Sequence, residues 1–109
     1  MKITKIDTYL VNLDGRSHPF VKVHTDSGLY GVGEAYSAGP EKATAEVIAD
    51  FESWLIGHDP REVTRLAHWM YVSSRFPPGA VISAAISGIE QALWDIAGKD
   101  AGLPVYKLL

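Results

Sequence analysis

The sequence predicts an α+β domain in which a three-stranded antiparallel β-meander is followed by a three-helix bundle. Strand patterning is confined to residues 2–36, helical apolar spacing begins after Gly39, and neither a βαβ alternation nor an internal repeat interrupts that order. A chain of 109 residues, 47% of them hydrophobic, buries roughly two-thirds of the surface it exposes when unfolded, enough for one core without metal or disulfide support.

The first strand is expected over Lys2 to Leu13, where Ile3, Ile6, Thr8, Tyr9, Leu10 and Val11 favour extended backbone and no helix cap precedes them. Asn12 to Pro19 is rich in turn formers and reads as a polar break. Phe20 to Thr25 then alternates cleanly, with Val21, Val23 and Thr25 on one face and Phe20, Lys22 and His24 on the other. Asp26-Ser27-Gly28 supplies a hairpin turn. A third strand from Leu29 to Tyr36 has one large face, Tyr30, Val32, Glu34 and Tyr36, and one small face, Leu29, Gly31, Gly33 and Ala35. The small face admits a second backbone or a helix at close range.

The first helix opens at Gly39-Pro40-Glu41 and buries Ala43, Val47, Ile48, Phe51, Trp54 and Leu55, with Gly57 as its stop. Asp59-Pro60-Arg61-Glu62 resembles a capping box and is expected to start the second helix, whose stripe is Val63, Leu66, Ala67, Met70 and Tyr71. Pro77-Pro78-Gly79 forces a break. The third and longest helix, about Ala80 to Ala101, carries Ile82, Ala85, Ile86, Ile89, Ala92, Leu93, Ile96 and Ala97 in one broad apolar arc and ends at Gly102 and Pro104. Ser83, Ser87, Trp94 and Gly98 share another face, a smooth groove suited to docking, with a partly exposed tryptophan as the plain alternative.

Composition excludes several functions. The net charge of -3 provides no basic stripe for a nucleic-acid backbone, and the absence of cysteine removes disulfides and thiolate zinc sites. An acidic residue, Asp7, precedes any apolar run of signal-peptide length, and no stretch reads as a membrane span, so the cytoplasm is the expected compartment. Gly31-Val32-Gly33 lacks the third glycine of a dinucleotide fingerprint, Tyr36 standing in its place. His18, His24, His58 and His68 are not spaced to offer two ligands from one helix. Ser17 beside His18 makes no triad, and Glu90 reads as an exposed carboxylate. Asp95 with Lys99, and Gln91 with Asp95, read as pairs supporting their own helix. The residues alone compose no complete active site.

Two connections carry functional weight. In a meander, the segment Asp14 to Pro19 and the segment Glu34 to Gly39 emerge at the same end of the sheet, so they can act together. Arg16 is suited to clamp a carboxylate, and Tyr36 to add an aromatic wall and a hydroxyl. The plain alternative is two surface turns.

The run Thr25 to Ala35 (TDSGLYGVGEA), the junction Gly57-His58-Asp59-Pro60 and the stretch Ile82 to Leu109 (ISAAISGIEQALWDIAGKDAGLPVYKLL) resemble the enolase superfamily. The likeness is to its mandelate racemase and muconate lactonizing enzyme group, particularly acid-sugar dehydratases such as galactonate dehydratase. It implies that residues 1–109 form the amino-terminal capping domain and that a (β/α) barrel of about 250 residues, absent from this chain, normally follows. The apolar ending at Leu108-Leu109 is read as a place where the polypeptide continued. The barrel would supply the Mg²⁺ ligands and the bases that remove a proton beside a carboxylate, so the resemblance assigns no catalytic or metal residue to this chain and implies that it is inactive alone. It further implies that cap loops shape substrate choice, which makes Arg16, His18, Tyr36 and Ser37 the substrate-binding candidates. A small sugar acid and the protein's own barrel are the implied partners, with no nucleic acid or membrane, and the intact enzyme is expected to be a homo-oligomer. A racemase, epimerase or lactonizing enzyme, or a freestanding binding domain, are the alternative readings. Glu90 stands where many relatives have Asp.

Overall fold

A computed structural model describes residues 1–36, 39–74 and 78–109. Strands β1 (Ile3–Leu13), β2 (Arg16–Thr25) and β3 (Tyr30–Glu34) form one antiparallel sheet in the order β1-β2-β3. Helices α1 (Glu41–Leu55), α2 (Val63–Ser73) and α3 (Gly79–Ala101) follow, and a short 3₁₀ turn spans Val105–Lys107. Val21 and Val23 are buried against the helices while Phe20, Lys22 and His24 occupy the open face, as the alternation predicts.

The polar break of the sequence contracts to two residues. Asp14 (φ 53°) and Gly15 (φ 77°) make the whole turn, and Leu13 pairs directly with Arg16. Asp-Gly favours a two-residue turn whose twist matches that of the flanking strands, so Arg16 to Pro19 extend β2 rather than belonging to a loop. Pro19 is buried in this central strand. Its missing N–H falls where β3 has ended at Glu34, and its carbonyl accepts the Ala35 N–H at 2.8 Å.

The small face of β3 lies against α3. A Cβ built on Gly31 would stand 1.9 Å from the Ala92 carbonyl oxygen, and one on Gly33 would stand 2.1 Å from that of Gly88. A Cβ on Gly88 would in turn meet the Ala35 Cβ at 2.6 Å. This contact brings Ile89, Ala92, Leu93 and Ile96 beneath the sheet, where they join Ile48, Phe51 and Leu55 of α1 and Leu66 and Met70 of α2 in one core. α3 has 23 residues and contains an 18-residue window of mean hydropathy 1.2, so by length and composition it is long and apolar enough to cross a membrane, contrary to the reading that no stretch qualifies. Here its apolar surface forms the centre of the core.

Three other expectations are corrected. In α1 the fully buried polar position is Thr44, whose hydroxyl donates to the Pro40 carbonyl, whereas Ala43, Val47 and Trp54 are half-buried. Helix α2 begins at Val63, because the Asp59 carboxylate accepts the Arg61 N–H and guanidinium instead of capping a helix. The groove beside Trp94 is partly filled by the chain itself: a Cβ on Gly98 would stand 2.8 Å from the Leu103 carbonyl oxygen, in the turn that ends α3.

Both edges of the sheet take hydrogen bonds from the helical side. On β1 the Ile3 N–H donates to the His58 carbonyl at 2.9 Å and the Ile6 N–H to the Glu52 carboxylate at 2.6 Å. On β3 the partners are side chains of α3. Asp95 accepts the Val32 N–H at 3.0 Å, Lys99 donates to the Tyr30 carbonyl at 2.7 Å, and Gln91 accepts the Glu34 N–H at 3.0 Å while donating to its carbonyl at 3.2 Å. Four helical residues rise about 6 Å and two strand residues about 6.7 Å, so side chains at 91, 95 and 99 match backbone groups at 34, 32 and 30. The ion pair expected between Asp95 and Lys99 is present at 3.2 Å, but the dominant work of this row is on the strand, and Gln91 bonds Ser87 and Glu34 rather than Asp95.

Gly31→Ala is therefore expected to destabilise the domain by about 3 kcal/mol, at the upper end of overpacking costs, because the atom struck is backbone and cannot rotate away. Urea unfolding measures this, and a loss below about 1 kcal/mol would contradict the contact. Acid stability gives a second test. Arg61 hydrogen bonds hold the Asp59 carboxyl at about 2, below its ordinary 3.8. A carboxylate depressed by folding contributes stability that is complete above the unfolded value and is lost as pH falls through the folded one. The stability difference between the wild type and Asp59→Asn should thus shrink between about pH 4 and pH 2, and a difference constant across that window would refute the assignment.

Candidate functional site

The register of the meander gathers the site. Glu34 is the cross-strand partner of Phe20, so continuing two residues places Tyr36 beside His18, and Arg16 follows two residues further along β2 on the same face. The structure bears this out. The His18 and Tyr36 rings stack with centroids 4.7 Å apart and planes 24° from parallel, and Arg16 Nη1 donates to the Tyr36 hydroxyl at 3.2 Å. The two connections therefore do meet at one end of the sheet.

Glu34 completes the group. Its Oε2 lies 2.7 Å from His18 Nδ1. A carboxylate only accepts, so Nδ1 carries the proton and Nε2 is the ring's acceptor nitrogen. The pair is partly covered, with His18 and Glu34 side chains 22% and 37% exposed. Tyr36 accepts from Arg16, which leaves its own O–H to donate elsewhere. Among the described residues Arg16 forms no ion pair, so its remaining N–H groups are available to a ligand. Of this group, Arg16 and Tyr36 border an open cleft of about 460 Å³ lined by Asn12, Gly15, Arg16, Ser17, Tyr36 and Glu41. The cleft thus offers several donors, an aromatic ring and one carboxylate, a set suited to a polyhydroxylated anion.

Of the predicted site residues, Arg16, His18 and Tyr36 are brought together, and Ser37 lies outside the described residues. Sequence reading missed Glu34 as the partner of His18, and Asn12 and Glu41 as lining residues. The signal was the register itself, since Glu34, opposite Phe20, stands diagonally across the strand pair from His18. The other histidines sit elsewhere. His24, expected to be a solvated neighbour of Lys22, bonds Asp7 at 2.9 Å. Burial pushes the Asp7 carboxyl up, but hydrogen bonds from His24 and Lys5 outweigh this and hold it below its ordinary value. The His58 ring lies 5.1 Å from that of Trp69, and His68 is exposed. Among the described residues no group of three or more His, Asp or Glu side chains is placed to hold a metal ion. Among the described residues there is therefore no such cluster to fit a resident Mg²⁺.

Comparison with known proteins gives this geometry a context. The family model for the mandelate racemase / muconate lactonizing enzyme N-terminal domain matches residues 5–109. D-Galactonate dehydratase of Variovorax paradoxus is 42% identical over 109 residues, covering 100% of this chain and 28% of that protein. The crystal structure of an enolase from Pantoea ananatis, with bound D-gluconate and Mg, superposes with a TM-score of 0.92 at 38% identity, covering 98% of this chain and 26% of that one. The 3,6-anhydro-D-galactonate cycloisomerase of Zobellia galactanivorans gives a TM-score of 0.90 at 39% identity, over 99% of this chain and 31% of that one. The chain spans little more than a quarter of the length of the dehydratase it matches. On sequence and fold together, it belongs to the mandelate racemase / muconate lactonizing enzyme family, as an amino-terminal domain of that family.

Proposed function

We propose that this domain is the substrate cap of a Mg²⁺-dependent acid-sugar dehydratase, and that it has no activity without the barrel that carries the metal and the bases. The observation that carries the reading is the Arg16-His18-Tyr36 group at one rim of the sheet, in which Arg16 and Tyr36 border a cleft and His18, held by Glu34, stacks on Tyr36. It is supported by the identity to D-galactonate dehydratases along the whole chain. The reaction removes the proton beside a carboxylate and expels the hydroxyl on the next carbon, and the enol so formed becomes a 2-keto acid. The chain's own residues contribute binding and water exclusion: Arg16 and Tyr36 donate to substrate oxygens, and His18 Nε2 engages a further hydroxyl. Exposed Leu103, Tyr106 and Leu109 beyond α3 would meet the barrel. We assign the intact enzyme to the cytoplasm as a homo-oligomer.

The likeness to a cycloisomerase at 39% identity favours a second reading, in which the parent enzyme isomerises or lactonizes its substrate. Product analysis separates the two: a 2-keto acid from an aldonate supports dehydration, and solvent deuterium at the carbon beside the carboxylate without keto acid supports isomerisation. In the full-length protein, Arg16→Ala should raise KM about tenfold or more, the cost of one charge-assisted hydrogen bond, and Tyr36→Phe should have a smaller effect. Stability should change by less than about 0.5 kcal/mol in each, as for other surface substitutions. Unchanged KM and substrate preference in Arg16→Ala, His18→Ala and Tyr36→Phe would remove the cap from the binding site.

A further inference from the structure

The Glu34 side chain orients His18, yet Glu34 is the last residue of an edge strand, a position where backbone commonly frays. One side chain grips it from outside the sheet. Gln91, on α3, accepts the Glu34 N–H at 3.0 Å and donates to the Glu34 carbonyl at 3.2 Å. That is the two-bond exchange by which a neighbouring strand residue would hold it. The amide is itself oriented, because its Nε2 also reaches the Ser87 hydroxyl at 3.1 Å on the preceding turn. An amide supplies both a donor and an acceptor on adjacent atoms, which neither a carboxylate nor an ammonium does. Asp95 and Lys99 each supply one bond, further from the site, to Val32 and Tyr30.

We infer that Gln91 is a positioning residue for the cap: it acts as a one-residue substitute for a fourth strand, fixing the Glu34 backbone so that its carboxylate orients His18 against Tyr36. Gln91 borders the ligand group without belonging to it, and the inference rests on the cap reading only for the claim that this order serves substrate. The path runs from Gln91 to the Glu34 backbone, from the Glu34 carboxylate to His18 Nδ1, and from the His18 ring to the stacked Tyr36 that accepts from Arg16.

The test compares Gln91→Leu, which keeps the volume and removes both bonds to Glu34, with Lys99→Met, which removes the bond to the Tyr30 carbonyl and the Asp95 ion pair at the far end of the same row. In the ¹⁵N-labelled 109-residue chain, Gln91→Leu should speed amide exchange at Glu34 by about tenfold or more and move the His18 Nδ1 resonance toward that of Glu34→Gln. Lys99→Met should do neither, even at an equal loss of thermal stability. Gln91→Glu keeps an acceptor but no donor and should fall between. An unchanged Glu34 exchange rate and His18 resonance in Gln91→Leu, or equal changes in Lys99→Met, would overturn the assignment. In the full-length protein, Gln91→Leu should raise KM several-fold with kcat little changed, and an unaltered KM alongside an effect of His18→Ala would overturn its link to binding. Should His18→Ala itself leave KM unchanged, the cap reading fails, while the spectra still decide whether Gln91 holds Glu34.

Discussion

The near-contact of two backbones, β3 against α3 at Gly31, Gly33 and Gly88, is the constraint on which the rest of the structure depends. With a Cβ at either strand position the helix would be driven outward by the carbonyl oxygens of Ala92 and Gly88. At the observed distance, the apolar arc of α3 reaches Val21 and Val23, and the polar residues flanking that arc reach round the sheet's edge. Gln91, Asp95 and Lys99 then satisfy backbone groups of β3 that would otherwise invite another strand. On the opposite edge Glu52 and the Gly57-His58 turn do the same for the first residues of β1. A three-stranded sheet has a high proportion of edge, and here much of that edge is satisfied by the helical layer.

The same geometry explains which features could be read from sequence. The small face of β3 was legible because a strand that alternates Gly with large residues has few uses other than close approach. The polar row of α3 is only half legible, Asp95 and Lys99 pairing as expected while Gln91 does not pair with Asp95, because a spacing of four residues serves two ends. It brings side chains together along a helix, and it also matches the two-residue step of a strand, so spacing alone does not separate an internal pair from a grip on a neighbour. The turn at Asp14-Gly15 looks longer in the sequence, reaching to Pro19, because Arg16, Ser17 and His18 are polar on both faces, which hides the alternation of a strand. Asp59 illustrates competition of another kind. Its carboxylate suits a helix cap, but the Arg61 guanidinium two residues on, which also reaches Asp100, makes a stronger charge-assisted partner.

The candidate site followed from parity. An antiparallel meander returns the third strand to the end where the first strand turned, so Arg16, His18 and Tyr36 had to be neighbours if the strands were correctly placed. Glu34 is harder to read as their partner: the β2–β3 register, His24 opposite Tyr30 and Phe20 opposite Glu34, is set by the Asp26-Ser27-Gly28 turn, while the Asp14-Gly15 turn decides whether His18 lies on β2 at all. Once Leu13 pairs with Arg16 and Phe20 with Glu34, the Glu34 carboxylate comes within diagonal reach of His18.

How well such a group reads a ligand depends on water. Arg16 and Tyr36 are exposed and the His18-Glu34 pair only partly covered, so in the isolated domain water competes for every donor and a missing or misplaced hydroxyl on a ligand costs little. When a second surface excludes that water, an unmatched donor carries its full desolvation penalty, and discrimination between sugar acids differing at one carbon becomes large. Holding the group in advance through β2, β3 and the Gln91 grip lowers the ordering cost of binding but cannot supply the exclusion. A pre-ordered but open polar rim has its greatest selectivity when closed against another surface. In the proposed enzyme, that surface is the mouth of the barrel that carries the chemistry.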